Sequence, residues 1–123
     1  MDNRESAEMY LETIYVLSQK SDTVRKIDIS KHMGYAKPSV TRGISLLENN
    51  GLVTVDTNGS IILTDDGKKQ AKRIYERHTV LTKMFVKLGV DEKTASEHAC
   101  RVEHFISDKT FKAIKNHLKT YDK

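Results

Sequence analysis

Gly34-Tyr35-Ala36-Lys37-Pro38-Ser39-Val40-Thr41-Arg42-Gly43-Ile44-Ser45-Leu46-Leu47-Glu48-Asn49-Asn50-Gly51 decides how this chain folds. Gly34 stops the helix before it, because glycine takes the left-handed conformation that closes a helix C-terminus. Pro38, the only proline, fits the first turn of a new helix, where its missing N–H leaves nothing unsatisfied. From Pro38 to Asn50, Val40, Ile44 and Leu47 share one inward face. Ser39, Thr41 and Arg42 point outward near the N-terminal end, and Gly51 terminates the helix. Just upstream, Arg25-Lys26-Ile27-Asp28-Ile29-Ser30-Lys31-His32-Met33 reads as a short helix of its own. Two such helices joined by a turn of about four residues make a helix-turn-helix. In that motif the first outward side chains of the second helix reach base edges in the major groove. The candidate DNA-binding residues are therefore Lys37, Pro38, Ser39, Thr41 and Arg42, with Lys37 near phosphate.

Downstream, Leu52-Val53-Thr54-Val55 and Ser60-Ile61-Ile62-Leu63 are short β-prone runs. Asp56-Thr57-Asn58-Gly59 joins them, and Asn-Gly is a strong hairpin signal. A helix-turn-helix followed at once by a hairpin is the winged-helix order. Some modules of this order bind only protein; DNA is the favoured partner. Upstream, residues 5–19 form an amphipathic helix with Ala7, Tyr10, Leu11, Ile14 and Leu17 inward. Met9 and Glu12 lie three apart on its flank. By itself Met9 is more often core filler than a ligand.

Residues 65–88 read as a long helix whose stripe is Ala71, Ile74, Tyr75, His78, Leu81, Phe85 and Leu88. A lone histidine on such a stripe is usually a core residue bonded to a carbonyl. Lys68, Lys69, Lys72, Arg73 and Arg77 read as a solvated basic face, some of it within reach of phosphate. Gly89 ends the helix, and Asp91 can cap the next, expected to reach about Ile106. Ser107-Asp108 opens a last helix with Phe111, Ile114 and Leu118 on its apolar side. The apolar residues of these short helices, Val102 and Ile106 included, are expected to form a two-fold dimer interface.

The helix after Asp91 carries Glu97-His98-Ala99-Cys100-Arg101-Val102-Glu103-His104. Helical spacing stacks Cys100, Glu103 and His104 on one face, at i, i+3 and i+4. A thiolate, a carboxylate and an imidazole on one turn can share a divalent cation. A buried structural cysteine beside a surface Glu-His pair has the same spacing.

Length and composition narrow the classes. The 123 residues suffice for one compact domain or two small ones. No apolar run approaches the roughly 20 residues of a membrane span. The polar start Met-Asp-Asn-Arg-Glu-Ser has no apolar signal core, which implies a cytoplasmic protein. One cysteine excludes an internal disulfide. Net charge is +4, divided as −2 over residues 1–65 and +6 over residues 66–123. It permits nucleic-acid binding without locating it.

Four segments together carry a resemblance that covers nearly the whole chain. They are Glu8-Met9-Tyr10-Leu11-Glu12-Thr13-Ile14-Tyr15, Pro38-Ser39-Val40-Thr41, Arg77-His78, and Ala99-Cys100-Arg101-Val102-Glu103-His104-Phe105-Ile106-Ser107. In this order they resemble the diphtheria-toxin-repressor family of metal-dependent transcription regulators, in a short form without the SH3-like third domain. The resemblance implies a mainly α protein: a winged helix-turn-helix DNA-binding domain over residues 1–65 and a helical metal-binding and dimerisation domain over residues 66–123. It implies metal ligation by Met9, Glu12, His78, Cys100, Glu103 and His104. It also implies a homodimeric repressor of metal-uptake genes on a palindromic double-stranded operator, with metal clamping the winged helix against the dimerisation domain. The iron-sensing branch has Met and Cys where this chain has Met9 and Cys100, and the manganese-sensing branch has carboxylates at both. Glu12 resembles the manganese branch. Thr82 and Ser96 stand where the iron branch places ancillary-site ligands, so that second site is not implied intact. Two soft sulfur donors argue against hard Mn(II), which makes Fe(II) the expected activator and Mn(II) the alternative. The competing readings are a metal-independent winged-helix regulator with Cys100 as redox sensor, and a small metalloenzyme.

Overall fold

Glycine stops, one proline and two capping residues divide the chain into six helices and two strands among the described residues of the computed structural model, which describes residues 3–121. In chain order these are α1 (Asn3–Lys20), α2 (Lys26–Met33), α3 (Lys37–Asn49), β1 (Val53–Val55), β2 (Ile61–Leu63), α4 (Asp65–Lys87), α5 (Glu92–Val102) and α6 (Asp108–Tyr121). The chain falls into two compact units, Met1–Lys72 and Arg73–Lys123. The boundary lies inside α4, so one helix belongs to both.

The first unit has an aliphatic core. Leu11 and Ile14 of α1, Ile29 of α2, and Val40, Ile44 and Leu47 of α3 are all essentially inaccessible. The inward face expected for α3 is thus the buried one. Gly34 takes φ +73° after α2 and returns its N–H to the Ser30 carbonyl at 2.9 Å. Pro38 occupies the first turn of α3. Gly43 is buried against Tyr10, whose ring would collide with any Cβ placed there. The Tyr10 hydroxyl donates to the Ser39 carbonyl at 3.1 Å. Burial, followed by the neighbouring Tyr35, raises the Tyr10 pKa. The hydroxyl therefore keeps its proton and remains a donor.

β1 and β2 pair antiparallel with Val53 opposite Leu63 and Val55 opposite Ile61. The ladder continues through Asp56 N–H to the Ser60 carbonyl at 3.0 Å, which leaves Thr57-Asn58-Gly59 as a three-residue loop. Gly59, at φ +82°, supplies the left-handed residue such a loop requires. Asp56 Oδ1 accepts from the N–H groups of Asn58 (2.8 Å) and Ser60 (2.9 Å), fixing the turn. On its other edge β2 receives a second partner: Ile61 N–H donates to the Val24 carbonyl at 2.7 Å.

In the second unit α4, α5 and α6 bury Ile74, Leu81, Ala95, Ala99, Phe111 and Leu118. Asp91 caps α5 by accepting the Thr94 N–H at 3.0 Å, and Ser107 caps α6 by accepting the Thr110 N–H at 3.1 Å. Three expectations from the sequence are corrected here. α5 ends at Val102 rather than near Ile106, and residues 103–106 form a turn. Tyr75 and Leu88, expected on the buried stripe of α4, are exposed. Arg77, expected on the solvated basic face, is only 3% exposed. Of the side chains expected at a dimer interface, Phe111 and Leu118 are buried within their own unit, whereas Val102, Ile106 and Ile114 are half-buried. No helix among the described residues is long and apolar enough to cross a membrane.

Candidate metal centre and DNA-reading helix

The turn that ends α5 sets the donor geometry. Cys100 lies on the last helical turn, Glu103 is the C-cap with φ −58° and ψ −25°, and His104 follows. Glu103 stays close to helical conformation, so the i, i+3, i+4 juxtaposition survives the end of the helix. One ligand atom each from Cys100, Glu103 and His104 lies within 4.8 Å of the others. That spread suits a cation with bonds of about 2.0–2.3 Å to nitrogen, oxygen and sulfur.

Glu103 is the centre of the group. Its side chain is fully buried, with Oε2 3.0 Å from His78 Nδ1 and Oε1 3.4 Å from His104 Nε2. His104 is buried as well, Cys100 is half-buried, and His78 is half-exposed on α4. A carboxylate taken out of water is costly unless positive charge or hydrogen-bond donors face it. Here two imidazoles and a thiol face it, each of a residue type that can ligate a metal. The donor set fits a borderline transition-metal ion: one nitrogen-rich side, one oxygen, one sulfur. The second face of His78 is turned elsewhere. Nε2 lies 3.2 Å from Ser96 Oγ, on a cleft of about 560 Å³ also lined by Thr82, Lys83 and Glu92. The Thr82 hydroxyl donates to the His78 carbonyl at 2.7 Å. Thr82 and Ser96 thus stand beside His78 as hydroxyl groups.

Met9 and Glu12 lie on α1 of the first unit, both half-buried. Thr13 Oγ1 donates to the Met9 carbonyl at 2.9 Å, one helical turn back.

At the N-terminus of α3, Lys37, Pro38, Thr41 and Arg42 are exposed and Ser39 is half-buried. An Arg42 guanidinium nitrogen donates to Ser39 Oγ at 3.3 Å, which holds the fork along the outward face. Ala36 makes no side-chain cap. The dipole of α3 adds to the positive potential of Lys37 and Arg42.

Sequence reasoning missed Arg77. Its Nη1 donates to the carbonyls of Glu103 (3.2 Å) and Ile106 (2.6 Å), its Nη2 pairs with Asp108, and its guanidinium lies over the Phe111 ring at 5.3 Å. The one available signal was its place beside His78 in the Arg77-His78 pair.

Residues 3–60 match the family model described as the iron dependent repressor N-terminal DNA binding domain, and residues 64–123 match the iron dependent repressor metal binding and dimerisation domain. The chain belongs to the iron-dependent repressor family. This family comprises metal-dependent DNA-binding transcriptional repressors and not enzymes, which sets aside the metalloenzyme and metal-independent alternatives. As a member of the iron-dependent repressor family, the chain is similar to an uncharacterised HTH-type transcriptional regulator of Methanocaldococcus jannaschii, 34% identical over 90% of each chain. It is 28% identical to the diphtheria toxin repressor of Corynebacterium diphtheriae, over 94% of this chain and 51% of that one. A solved manganese-dependent transcriptional repressor in complex with manganese is 27% identical with a TM-score of 0.85, covering 92% of this chain and 52% of the other. The chain thus spans about half the length of these last two relatives. Iron dependence and manganese dependence are both present among the relatives of this repressor.

Proposed function

We propose that this chain is an Fe(II)-activated homodimeric repressor of metal-uptake genes, with Mn(II) as the alternative metal. Cys100, Glu103, His104 and His78 supply one part of the ligand set, and Met9 and Glu12 supply the remainder. The observation that carries the reading is the convergence of three different donor atoms, sulfur, carboxylate oxygen and imidazole nitrogen, within 4.8 Å of one another. The bound metal supplies charge that the donors alone lack. The protein's part is to hold a deprotonated thiol, a carboxylate and neutral imidazoles in place.

In this reading residues 1–65 read DNA, residues 66–123 bind metal and dimerise, and the protein works in the cytoplasm. Two α3 helices related by a two-fold axis read the halves of a palindromic operator, one helical turn or about 34–36 Å apart. Linking Met9 and Glu12 to the second unit's ligands fixes that separation. A coupling of about 1–3 kcal/mol suffices for several-fold to hundredfold control of affinity.

Irving–Williams order favours Zn(II) over Fe(II) and Mn(II) at nitrogen, oxygen and sulfur sites, so affinity alone does not choose the metal. Met9 and Cys100 place sulfur where Mn(II) gains least. An anaerobic titration of operator binding with Fe(II), Mn(II), Zn(II) and no metal tests this. Fe(II) should activate at lower concentration than Mn(II), and Met9→Asp with Cys100→Glu should reverse that order. A parent protein that already answers to Mn(II) first would overturn the choice of iron.

A further inference from the structure

We propose that Arg77 is a positioning residue for the metal centre, holding the turn that presents Glu103 and His104. This rests on the ligand assignment above and goes beyond it, because Arg77 itself offers no ligand atom. α5 ends at Val102, and a helix end leaves carbonyls without intrahelical donors. The amides of the turn point back into the helix: Glu103 N–H to the Ala99 carbonyl, Phe105 N–H and Ile106 N–H to the Val102 carbonyl, at 2.9–3.1 Å. Its carbonyls point the other way, and Arg77 Nη1 collects those of Glu103 and Ile106. The peptide groups on both sides of the ligand pair are therefore fixed, one side by α5 and the other by α4.

Three features make this more than burial of a long side chain. The same guanidinium pairs through Nη2 with Asp108, the first residue of α6, so one planar group spans the whole Glu103–Asp108 connection. Asp108 sets a negative charge beside that guanidinium and also lies 3.7 Å from Arg73, which ties the start of α6 to α4 at two points. The fork is also rigid, whereas lysine would bring a single ammonium with no fixed directions. Groups that orient metal ligands from behind typically change metal affinity by about 10–100-fold when removed.

The test compares Arg77→Lys, Asp108→Asn and Phe111→Leu in the full chain. Direct titration with Co(II) under anaerobic conditions reads the affinity, and the visible and thiolate charge-transfer bands read the coordination. Arg77→Lys keeps the charge, so geometry alone changes. It should weaken Co(II) binding about 10–100-fold and alter the bands. Asp108 is exposed, so Asp108→Asn should fold normally and weaken binding measurably, by less than Arg77→Lys does, through a looser Arg77. Phe111→Leu loosens the core beneath the guanidinium but leaves its hydrogen bonds. It should lower the thermal midpoint at least as much as Arg77→Lys, with Co(II) affinity and bands near those of the parent. Parent-like affinity and bands in Arg77→Lys, or equal losses of affinity in Arg77→Lys and Phe111→Leu, would overturn the proposal. If Glu103→Gln binds Co(II) like the parent, the ligand assignment has failed instead. If Arg77→Lys does not fold, parent-like affinity and bands in Asp108→Asn overturn the proposal.

Discussion

The two units bury different chemistry. The innermost side chains of the first are Leu11, Ile14, Ile29, Val40, Ile44 and Leu47, all aliphatic and essentially inaccessible, while its buried polar residues Glu8, Thr13 and Ser60 lie nearer the surface at 6–8% exposure. The second buries Arg77, Glu103 and His104 among its apolar side chains. An aliphatic core gives stability and a single packing. A polar one of this kind costs desolvation and is kept for what its groups can do. The unit that carries α3 thus has an apolar innermost core, and the unit that carries Cys100, Glu103 and His104 has charged and polar groups at its centre.

Substitutions that exchange the two chemistries break or sharpen this contrast. The largest effect is expected at Glu103. Glu103→Leu should lower metal affinity by more than about 100-fold, judged against the 10–100-fold typical of groups that only support ligands. The metal-free thermal midpoint should move by less than about 5 °C, because replacing a buried charge by an apolar side chain of similar size is often neutral or stabilising. A large fall in metal-free stability would show that the carboxylate is structural. The converse change is Leu47→Ala, which should cost about 2–5 kcal/mol in denaturant unfolding while Co(II) affinity stays near that of the parent. If metal affinity falls with it, the contrast between the units fails.

Two smaller effects lie at the surface. Arg42→Ala should weaken binding to the operator by about 1–3 kcal/mol and leave non-specific DNA nearly unaffected, if the guanidinium reads a base. Equal loss on every sequence would assign Arg42 to the backbone. The smallest effect belongs to Asp91. Its backbone and side-chain bonds to Thr94 lower its pKa from the ordinary 3.8. A depressed folded-state pKa stabilises above the unfolded value, and that contribution is lost as pH falls through the folded one. Asp91→Ala should therefore lower the melting temperature slightly at neutral pH. The difference from the parent should shrink in acid, once both states are protonated. A pH-independent difference would mean that the carboxylate charge is irrelevant to the cap.

How much could be read in advance also differs between the units. The winged helix was legible because its signals are local. Gly34, Pro38 and Gly51 punctuate the helices, and Val40, Ile44 and Leu47 mark the inward face with no reference to any other segment. Cys100, Glu103 and His104 were legible as a group for the same reason. The extent of α5 was not. Phe105 and Ile106 continue a helical pattern, yet the chain turns, and Arg77 donates to the carbonyls of Glu103 and Ile106, 26 and 29 residues downstream of it. Arg77 itself was hidden among Lys68, Lys69, Lys72 and Arg73, since nothing in composition separates a buried cation from its solvated neighbours. Tyr75 and Leu88 fit the helical period and are nevertheless exposed. The period says which residues share a stripe, not how wide the covered part is.

The contact of Tyr10 with α3 has a mechanical meaning. Its hydroxyl holds the Ser39 carbonyl, and its ring fills the space left by the missing side chain of Gly43. It is a rivet through two helices, placed between Met9 and Glu12 on one and beside Ser39 and Arg42 on the other. On the α1 side it sits in the same turn as Met9 and Glu12, and on the α3 side it holds the first turn, so the two helices meet at the place where one carries the candidate donors and the other the candidate base-reading residues.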